Sequence, residues 1–390
     1  MILSHILQEL RINSFLALGF SSPNPPVACV ITDENNKILS SAHTQKSGFN
    51  HAEKEAYEKL GKNFDVPHIV YVTLEPCSHF GKTSPCIDLI LNKKPRRVIL
   101  GSLDPNPIVR QRDSLNLLKQ NGIEYEFSSE IKEISEEFLS GFFMRINKKR
   151  PLILLKSAVS VEGYYKQSSL EKIQITSNES NNISQCIRQS VDGIVVGSST
   201  VKYDLPKLNF RSIKKINPSV YPIKNIYFNS LFHILSNEYL IKIINDRQNQ
   251  PYRIFIISNK NFPEKQFFID QESIGINKTI FIQSENLTKE NESLLFKFTS
   301  NEIYKSSFEG IKNTIFEIAN KFGLNSILVE GGNSLYKQFV IDLNKEDKII
   351  EIQSNIIINI GEKPFWMDRK EIQTKDSFQI LNDNWKIKGK

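Results

Sequence analysis

The feature that most constrains this chain is a histidine and two cysteines placed around one short apolar run. His51 stands two residues before Glu53, whereas Cys77 and Cys86 follow the apolar residues 69–74. One imidazole and two thiolates suit zinc, and three protein ligands leave the open position that a catalytic zinc requires. The spacing therefore predicts zinc on His51, Cys77 and Cys86. Glu53 lies close enough to carry protons without binding the metal.

The two cysteines are also compatible with a disulfide or with a structural metal site. Cys77 and Cys86 could form a disulfide, although no secretory context supports one. A structural zinc site would need a fourth protein ligand, which His79 could supply. Zinc deaminases combine one His and two Cys on zinc with a Glu as general acid and base. The Pro-Cys and the second Cys after His-x-Glu favour this catalytic arrangement.

Composition narrows the class of protein and its partners. The chain has 390 residues, of which 39% are hydrophobic and 24% charged, so a core of ordinary size is expected in two or three domains. The net charge of +7 favours anionic ligands such as phosphates, but the basic residues are scattered, which argues against nucleic acid. Four cysteines, no signal peptide and no membrane-length apolar run predict a cytoplasmic protein that binds no membrane.

Strand and helix signals alternate along the first part of the chain. Apolar residues at helical spacing predict a helix over residues 2–18, and Asn50 is a plausible N-cap for a helix over 51–60. The remaining expected elements are strands at 27–32, 38–42, 69–74 and 97–101 and helices at 86–91 and 115–120. This alternation predicts a layered α/β domain.

Residues 1–147 carry motifs that resemble the deaminase half of the bifunctional riboflavin-biosynthesis deaminase–reductases. Eight residues separate Cys77 from Cys86, whereas cytidine and tRNA-adenosine deaminases use Cys-x-x-Cys. The resemblance implies a cytidine-deaminase-like three-layer domain. The matching motifs are Pro23-Asn24-Pro25, His51-Ala52-Glu53, Thr73-Leu74-Glu75-Pro76-Cys77-Ser78-His79, Gly81-Lys82-Thr83, Pro85-Cys86 and Asp104-Pro105-Asn106-Pro107.

The same resemblance implies a substrate and its contacts. The substrate would be a diaminohydroxypyrimidine with a phosphoribosylamino group, deaminated by hydrolysis with Glu53 as the catalytic acid and base. Asn24, His43, His79 and Lys82 match family positions near this substrate, and Lys82 would contact its phosphate. For His43 and Lys82, a role as a loop-stabilising polar residue fits equally well.

Residues 151–390 carry Lys156-Ser157-Ala158, Ile175-Thr176, the run 193–201 and Val329-Glu330-Gly331-Gly332. By these motifs the segment resembles the reductase half of the same family, which implies a dihydrofolate-reductase-like α/β domain that uses NADPH. From the residues alone, a strand ending in Glu330, two glycines and a helix beginning at Asn333 form an anion site, although Gly-Gly also occurs in tight turns. The resemblance implies substrate contacts by Arg188, Leu208, Arg211 and Glu330. It implies cofactor contacts by Ala158, Gln174, Thr200, Asp204, Gly331 and Gly332.

The chain also departs from the family pattern. Glu162 replaces an Asp, and Lys172 and Gln174 stand where the family has Ser and Trp. Residues 110–113 replace a glycine-containing run. Three hypotheses follow. The first is a bifunctional enzyme, expected to be a homo-oligomer. The second is a deaminase whose C-terminal half is a degenerate, non-catalytic reductase that serves as an oligomerisation or scaffold domain, and the third is an RNA-base deaminase with a binding module. The long loop between the two cysteines and the scattered charge argue against the third.

Overall fold

The chain forms two compact units in the computed structural model. The structure describes residues 2–62, 64–81, 84–108, 112–167, 174–216, 223–275, 278–298, 303–358 and 361–390. The first unit contains Met1–Lys149 and Asn225–Ile234, and the second contains Arg150–Lys224 and Leu235–Lys390. The first unit is therefore discontinuous in sequence. No helix in the described ranges is long and apolar enough to cross a membrane.

The first unit is built around a mixed sheet whose order is β2-β1-β3-β4-β5 in the described residues. Its strands are β1 (Ala28–Thr32), β2 (Ile38–His43), β3 (Ile69–Leu74), β4 (Arg97–Ser102) and β5 (Glu124–Phe127). Its helices are α1 (Ser4–Ala17), α2 (Ala52–Leu60), α3 (Cys86–Lys93), α4 (Ser114–Gln120), α5 (Ser129–Phe138) and α6 (Ser140–Lys148). The elements predicted over residues 2–120 are confirmed within about three residues at each end.

One predicted detail of the first unit is wrong. Asn50 does not cap α2; His51 occupies the N-cap position, and Asn50 donates hydrogen bonds to Glu55 and Glu58 instead. The Asn50 amide was expected to cap the helix. It donates instead to two carboxylates that lie one and two turns into the helix. His51 lies just before the helix and has an extended backbone conformation. Its side chain therefore starts just before the first turn of α2.

Strand direction explains where the loops of the first unit meet. β3, β4 and β5 are parallel, and β1 is antiparallel to β3. Apolar residues of β1, β3 and β4 are buried and pack with Ala56 of α2 and Ile90 of α3 in one core, whereas β5 is exposed. Because parallel strands end at the same edge, the loop after Leu74 lies beside the loop after Ser102, and the Glu75 N–H donates to the Ser102 carbonyl.

The second unit is organised by a long sheet of order β11-β10-β9-β8-β12-β6-β13-β16-β15 in the described residues. The strands are β6 (Leu152–Val159), β8 (Gly193–Val196), β9 (Tyr252–Ile257), β10 (Thr279–Gln283), β11 (Ile303–Lys305), β12 (Ser326–Glu330), β13 (Lys348–Gln353), β15 (Gln373–Ile380) and β16 (Asp383–Gly389), with β7 (Lys166–Gln167) and β14 (Gly361–Glu362) paired separately. The C-terminal strands β15 and β16 form an antiparallel pair.

Helices follow most of the parallel strands of this unit. They are α7 (Asn178–Gln189), α8 (Ser198–Asp204), α10 (Glu238–Arg247), α11 (Lys265–Gly275), α12 (Lys289–Lys297), α13 (Ile311–Phe322) and α14 (Asn333–Val340). The intervening helix α9 (Ile226–Ser236) belongs to the first unit up to Ile234. β12 runs parallel to β6 on one side and β8 on the other. This register places Glu330 opposite Lys156 at the carboxyl edge, where open α/β sheets bind ligands.

Candidate active sites

The first unit brings the predicted zinc ligands together. The Nδ1 atom of His51 lies 3.5 Å from the sulfur of Cys77 and 3.5 Å from the sulfur of Cys86. The three donor atoms lie within 4.8 Å of one another, and His79 does not belong to this group. All four cysteines of the chain lie in described residues and are free thiols, so the structure contains no Cys77–Cys86 disulfide.

Local structure explains how residues distant in sequence form this group. His51 precedes α2, Cys77 lies on the loop that leaves β3, and Cys86 is the first residue of α3. Unpaired N–H groups at helix starts carry partial positive charge, which stabilises thiolate. The Cys86 N–H donates to the Cys77 sulfur over 3.4 Å. One nitrogen and two sulfurs in this environment fit zinc.

The electrostatics of the group favour an ionised sulfur beside a buried carboxyl. Hydrogen bonds from Cys86 and His51 hold the pKa of Cys77 well below its usual range, and the hydrogen bond to Cys77 raises the pKa of His51. Glu53 is only 4% exposed. Burial, and then the negative charge of Cys77, raise the pKa of Glu53 to about 7, although His51 opposes the shift. A carboxyl with this pKa can both accept and deliver protons near neutral pH.

The residues predicted to contact substrate in the first unit differ in burial and in hydrogen bonding. His43 is buried, and its Nδ1 lies 3.1 Å from the Asn13 side-chain oxygen. Asn24 is half-buried in the turn around Pro23. The Nδ1 atom of His79 is buried and has no hydrogen-bond partner among the described residues. Lys82 lies outside the described residues. All four assignments stay predictions.

Glu330 is the centre of a charged cluster in the second unit. Arg188 donates to its Oε2 over 3.1 Å from Nε and 2.6 Å from Nη2, and the Lys156 Nζ lies 3.6 Å from its Oε1. Burial alone would raise the pKa of Glu330, but Arg188 and Lys156 outweigh burial and lower it. Within the described chain, Oε1 is buried without a hydrogen-bond partner, so it can accept one from a ligand.

The two glycines after Glu330 allow close approach to the backbone. Gly331 has φ of +105° and Gly332 has φ of +85°, conformations that side chains disfavour. A Cβ on Gly331 would lie 2.7 Å from the Thr200 hydroxyl, whereas one on Gly332 would meet open space. The buried Tyr336 hydroxyl donates to the Lys156 carbonyl over 2.6 Å and accepts from the Gly331 N–H over 2.8 Å. Thus Tyr336 ties the glycine loop to β6.

The other predicted reductase contacts are more dispersed. Ala158 is half-buried on β6, and Leu208 is buried with φ of +51°. Gln174 is exposed and donates to the Thr176 carbonyl. Asp204 is exposed at the end of α8. Arg211 is exposed, and its backbone N–H donates to the Gln185 side-chain oxygen over 3.2 Å. These reductase assignments stay predictions.

The sequence alone did not indicate a role for Lys156 or Tyr336. It also did not indicate that Glu75, near the cysteines, accepts a hydrogen bond from Ser114. A signal was present for Lys156, because a lysine interrupts the apolar run of β6. Nothing comparable marked Tyr336, whose partner Lys156 is 180 residues away. The partners of Glu75 also lie far along the chain.

Comparisons with known proteins agree with this architecture. Residues 151–344 match the RibD C-terminal domain, and residues 13–102 match the cytidine and deoxycytidylate deaminase zinc-binding region. Riboflavin biosynthesis protein RibD of Buchnera aphidicola is 29% identical over 350 residues, covering 89% of this chain and 86% of that protein. RibD of Actinobacillus pleuropneumoniae is 38% identical over 194 residues, or 50% of each chain.

A solved structure covers both units. The diaminohydroxyphosphoribosylaminopyrimidine deaminase/5-amino-6-(5-phosphoribosylamino)uracil reductase of Thermotoga maritima matches with a TM-score of 0.73 and 22% identity, over 98% of this chain and 99% of that one. This match confirms the expected fold, a cytidine-deaminase-like domain followed by a dihydrofolate-reductase-like α/β domain. The domains fit zinc and NADPH as cofactors. With a zinc-binding deaminase region and a RibD reductase region in one chain, this protein belongs to the bifunctional riboflavin-biosynthesis deaminase–reductases.

Proposed function

We propose that this chain catalyses two successive steps of riboflavin biosynthesis. The first is hydrolytic deamination of diaminohydroxyphosphoribosylaminopyrimidine, and the second is reduction of the ribosyl group of the product to ribityl with NADPH. The observation that carries the proposal is the His51, Cys77 and Cys86 group with the buried Glu53 beside it. We take the identity of the substrate from the activity that is named for the Thermotoga maritima protein.

In the deamination step, the chain supplies proton transfer and orientation. Zinc, when bound to His51, Cys77 and Cys86, would lower the pKa of water and so supply a nucleophile at neutral pH. Glu53 would accept the proton of the attacking water and deliver protons to the ring nitrogen and to the departing amine. The carbon–nitrogen bond then breaks, and ammonia leaves as the ring becomes a uracil.

Four residues of the first unit would bind the substrate. The unpartnered Nδ1 of His79 supports a contact with a polar group of the ligand. The hydrogen bond that the His43 Nδ1–H donates to the Asn13 side-chain oxygen supports a fixed orientation for His43. Asn24 and Lys82 are assigned by resemblance, with Lys82 on the phosphate.

In the reduction step, NADPH supplies the hydride and the chain supplies the charged surroundings. The free Oε1 of Glu330 supports a hydrogen bond to the substrate, with Arg188 and Lys156 holding the carboxylate in place. Leu208 and Arg211 would complete the substrate contacts. Ala158, Gln174, Thr200, Asp204, Gly331 and Gly332 would contact the cofactor.

The intact ion-pair cluster favours an active reductase over the degenerate one. Carboxylate and cations are retained together, and one buried oxygen of the Glu330 carboxylate has no hydrogen-bond donor among the described residues, which suits a site that binds a ligand. The four free thiols support a reducing compartment, so we place the protein in the cytoplasm. By family resemblance it would be a homo-oligomer, with no nucleic acid or membrane partner.

The deaminase assignment can be tested by separating metal binding from chemistry. Cys86→Ser should sharply reduce zinc content, because it removes a sulfur ligand. Glu53→Gln should keep zinc but slow ammonia release by about 100-fold or more, because the proton carrier is lost. Cys186→Ser alters a buried cysteine of the other unit and should keep zinc. Full zinc in Cys86→Ser, or normal deamination by Glu53→Gln, would refute the assignment.

The reductase assignment needs the deaminated intermediate as its substrate. Glu330→Gln should slow NADPH oxidation by about 10-fold or more while ammonia release stays normal, since the carboxylate charge is lost from the second unit only. Glu371→Gln, at an exposed carboxylate of the same unit, serves as the control. If the unaltered protein deaminates but neither binds nor oxidises NADPH, the degenerate-reductase hypothesis replaces this one.

A further inference from the structure

The short segment 112–114 contacts the surroundings of both cysteines. The Ser114 hydroxyl donates to Glu75 Oε1 over 2.5 Å, and the Arg112 N–H donates to the Ser78 hydroxyl over 3.1 Å. The Arg112 guanidinium also pairs with Asp88, with contacts of 2.9 Å and 3.1 Å from its two terminal nitrogens. Arg112 and Ser114 thus provide three separate attachments.

These attachments surround the predicted metal ligands. Glu75 lies two residues before Cys77, and Ser78 lies one residue after it. Asp88 lies two residues after Cys86, in the first turn of α3. The segment therefore holds the Cys77 loop on both sides of the sulfur and also holds the helix that carries Cys86.

The Ser114–Glu75 hydrogen bond is the best placed of the three to resist movement. Ser114 is 1% exposed and Glu75 is 4% exposed, so water cannot easily replace either partner. The second carboxylate oxygen of Glu75 accepts from the Asp104 N–H over 3.2 Å. Loss of the Ser114 hydroxyl would leave a buried acceptor without this donor, and a shift of the loop would relieve that cost.

The position of Ser114 is itself fixed. Asp113 is the N-cap of α4, and its carboxylate accepts from the Asn116 N–H over 3.0 Å. The cap determines where the helix begins and therefore where Ser114 points. A rigid helix start is a better support for a metal loop than a mobile turn would be.

We propose that Arg112 and Ser114 are positioning residues that keep Cys77 and Cys86 at the spacing zinc requires. The proposal rests on the zinc site of the proposed function and assigns no contact with zinc to either residue. Groups that orient metal ligands typically affect metal affinity by about 10–100-fold.

The test measures how fast zinc leaves the purified full-length protein for a chromogenic chelator in excess. Ser114→Ala should speed release by about 10-fold, because the buried hydrogen bond is lost. Ser114→Thr keeps the hydroxyl and should restore slow release. Arg112→Ala should give a smaller acceleration, because its ion pair with Asp88 is partly exposed and its backbone contact with Ser78 remains.

Two further measurements separate positioning from general loss of stability. Ser128→Ala removes the N-cap hydrogen bond of α5 and should lower stability without speeding zinc release. In the cobalt-loaded protein, Ser114→Ala should alter the thiolate charge-transfer absorption, because the cysteines move, whereas Ser128→Ala should leave it unchanged.

The outcomes are decisive in either direction. Release at the normal rate from folded Ser114→Ala and Arg112→Ala would overturn the proposal, and so would equal acceleration by Ser128→Ala. A protein that takes up no zinc at all would instead refute the proposed metal centre. These two failures are therefore distinguishable, since the first requires zinc to be bound and the second requires it to be absent.

Discussion

Two buried glutamates show how surroundings set the charge of a single residue. Burial and the charge of Cys77 raise the pKa of Glu53 to about 7. For Glu330, burial acts in the same direction, but Arg188 and Lys156 outweigh it and lower the pKa. The first carboxyl is thus suited to exchanging protons and the second to remaining ionised.

His68 gives a residue-level prediction about pH. It is 1% exposed, its Nδ1 lies 2.6 Å from the Val66 carbonyl, and its Nε2 lies 2.8 Å from the Tyr57 hydroxyl. Burial lowers the pKa of His68 below its usual value. As pH falls below about 6.5, the unfolded chain takes up a proton that the folded chain does not, so stability falls by up to about 1.4 kcal/mol per pH unit.

His68→Gln should remove this contribution, because glutamine does not titrate. Urea unfolding of the two proteins should show a shallower loss of stability for the variant between about pH 6.5 and about pH 5. Between about pH 7.5 and about pH 8.5 the two curves should run parallel, since the imidazole is neutral in both states. Equal slopes below about pH 6.5 would rule out His68 as the source.

Among single residues, the sequence predicted those whose side chains form a known type of metal site. His51, Cys77 and Cys86 could be assigned because few other functions use these donors at such spacing. Lys156 and Ser114 could not, because their roles depend on partners that only the fold brings near. Lys156 faces a carboxylate 174 positions later in the chain, and Ser114 faces one 39 positions earlier.

Among elements, periodicity predicted which segments form helices and strands and the first residue of several of them, such as β3 and β4, but not the first residue of α2. α2 was expected to include His51, yet the helix begins at Ala52, because Asn50 binds two glutamates rather than capping. The strand, glycines and helix at Ser326–Val340 were predicted correctly, since positive φ at adjacent glycines interrupts any regular element.

The two adjacent glycines of this turn should respond unequally to alanine. Gly332→Ala introduces only backbone strain, which costs about 1–3 kcal/mol, because a Cβ there meets open space. Gly331→Ala should cost more, because its Cβ would also collide with the Thr200 hydroxyl. Urea unfolding of both variants measures the difference.

A second substitution identifies the cause of that difference. Thr200→Ala removes the hydroxyl, so it should recover part of the stability lost in Gly331→Ala and none of that lost in Gly332→Ala. If Thr200→Ala helped both variants equally, the collision would not explain the difference.

At the scale of the whole molecule, the unexpected feature is the discontinuous first unit. Asn225–Ile234 belongs to it, and the Tyr227 ring lies 5.1 Å from the Phe15 ring of α1. Helical apolar spacing in α9 indicates burial, but it cannot indicate against which surface. The sequence thus predicted two domain types in the correct order and missed the returning segment.

Tyr227 offers a test of this packing. It is 7% exposed, so Tyr227→Ala should destabilise the protein by about 3 kcal/mol through lost aromatic packing. Tyr239→Ala changes a tyrosine of α10 that is 71% exposed and should cost less than about 0.5 kcal/mol. Urea unfolding compares the two, and equal losses would contradict the burial of Tyr227.

The returning segment also has a consequence during synthesis. A ribosome must add the 75 residues from 150 to 224 before it begins Asn225–Ile234, the last part of the first unit. At about 5–20 residues per second this takes roughly 4–15 s. During that interval the apolar surface of α1 around Phe15 lacks its aromatic neighbour Tyr227. The first unit is therefore begun first, but it is completed only after part of the second unit has been synthesised. Chaperone binding to the first unit would be most favourable during this interval.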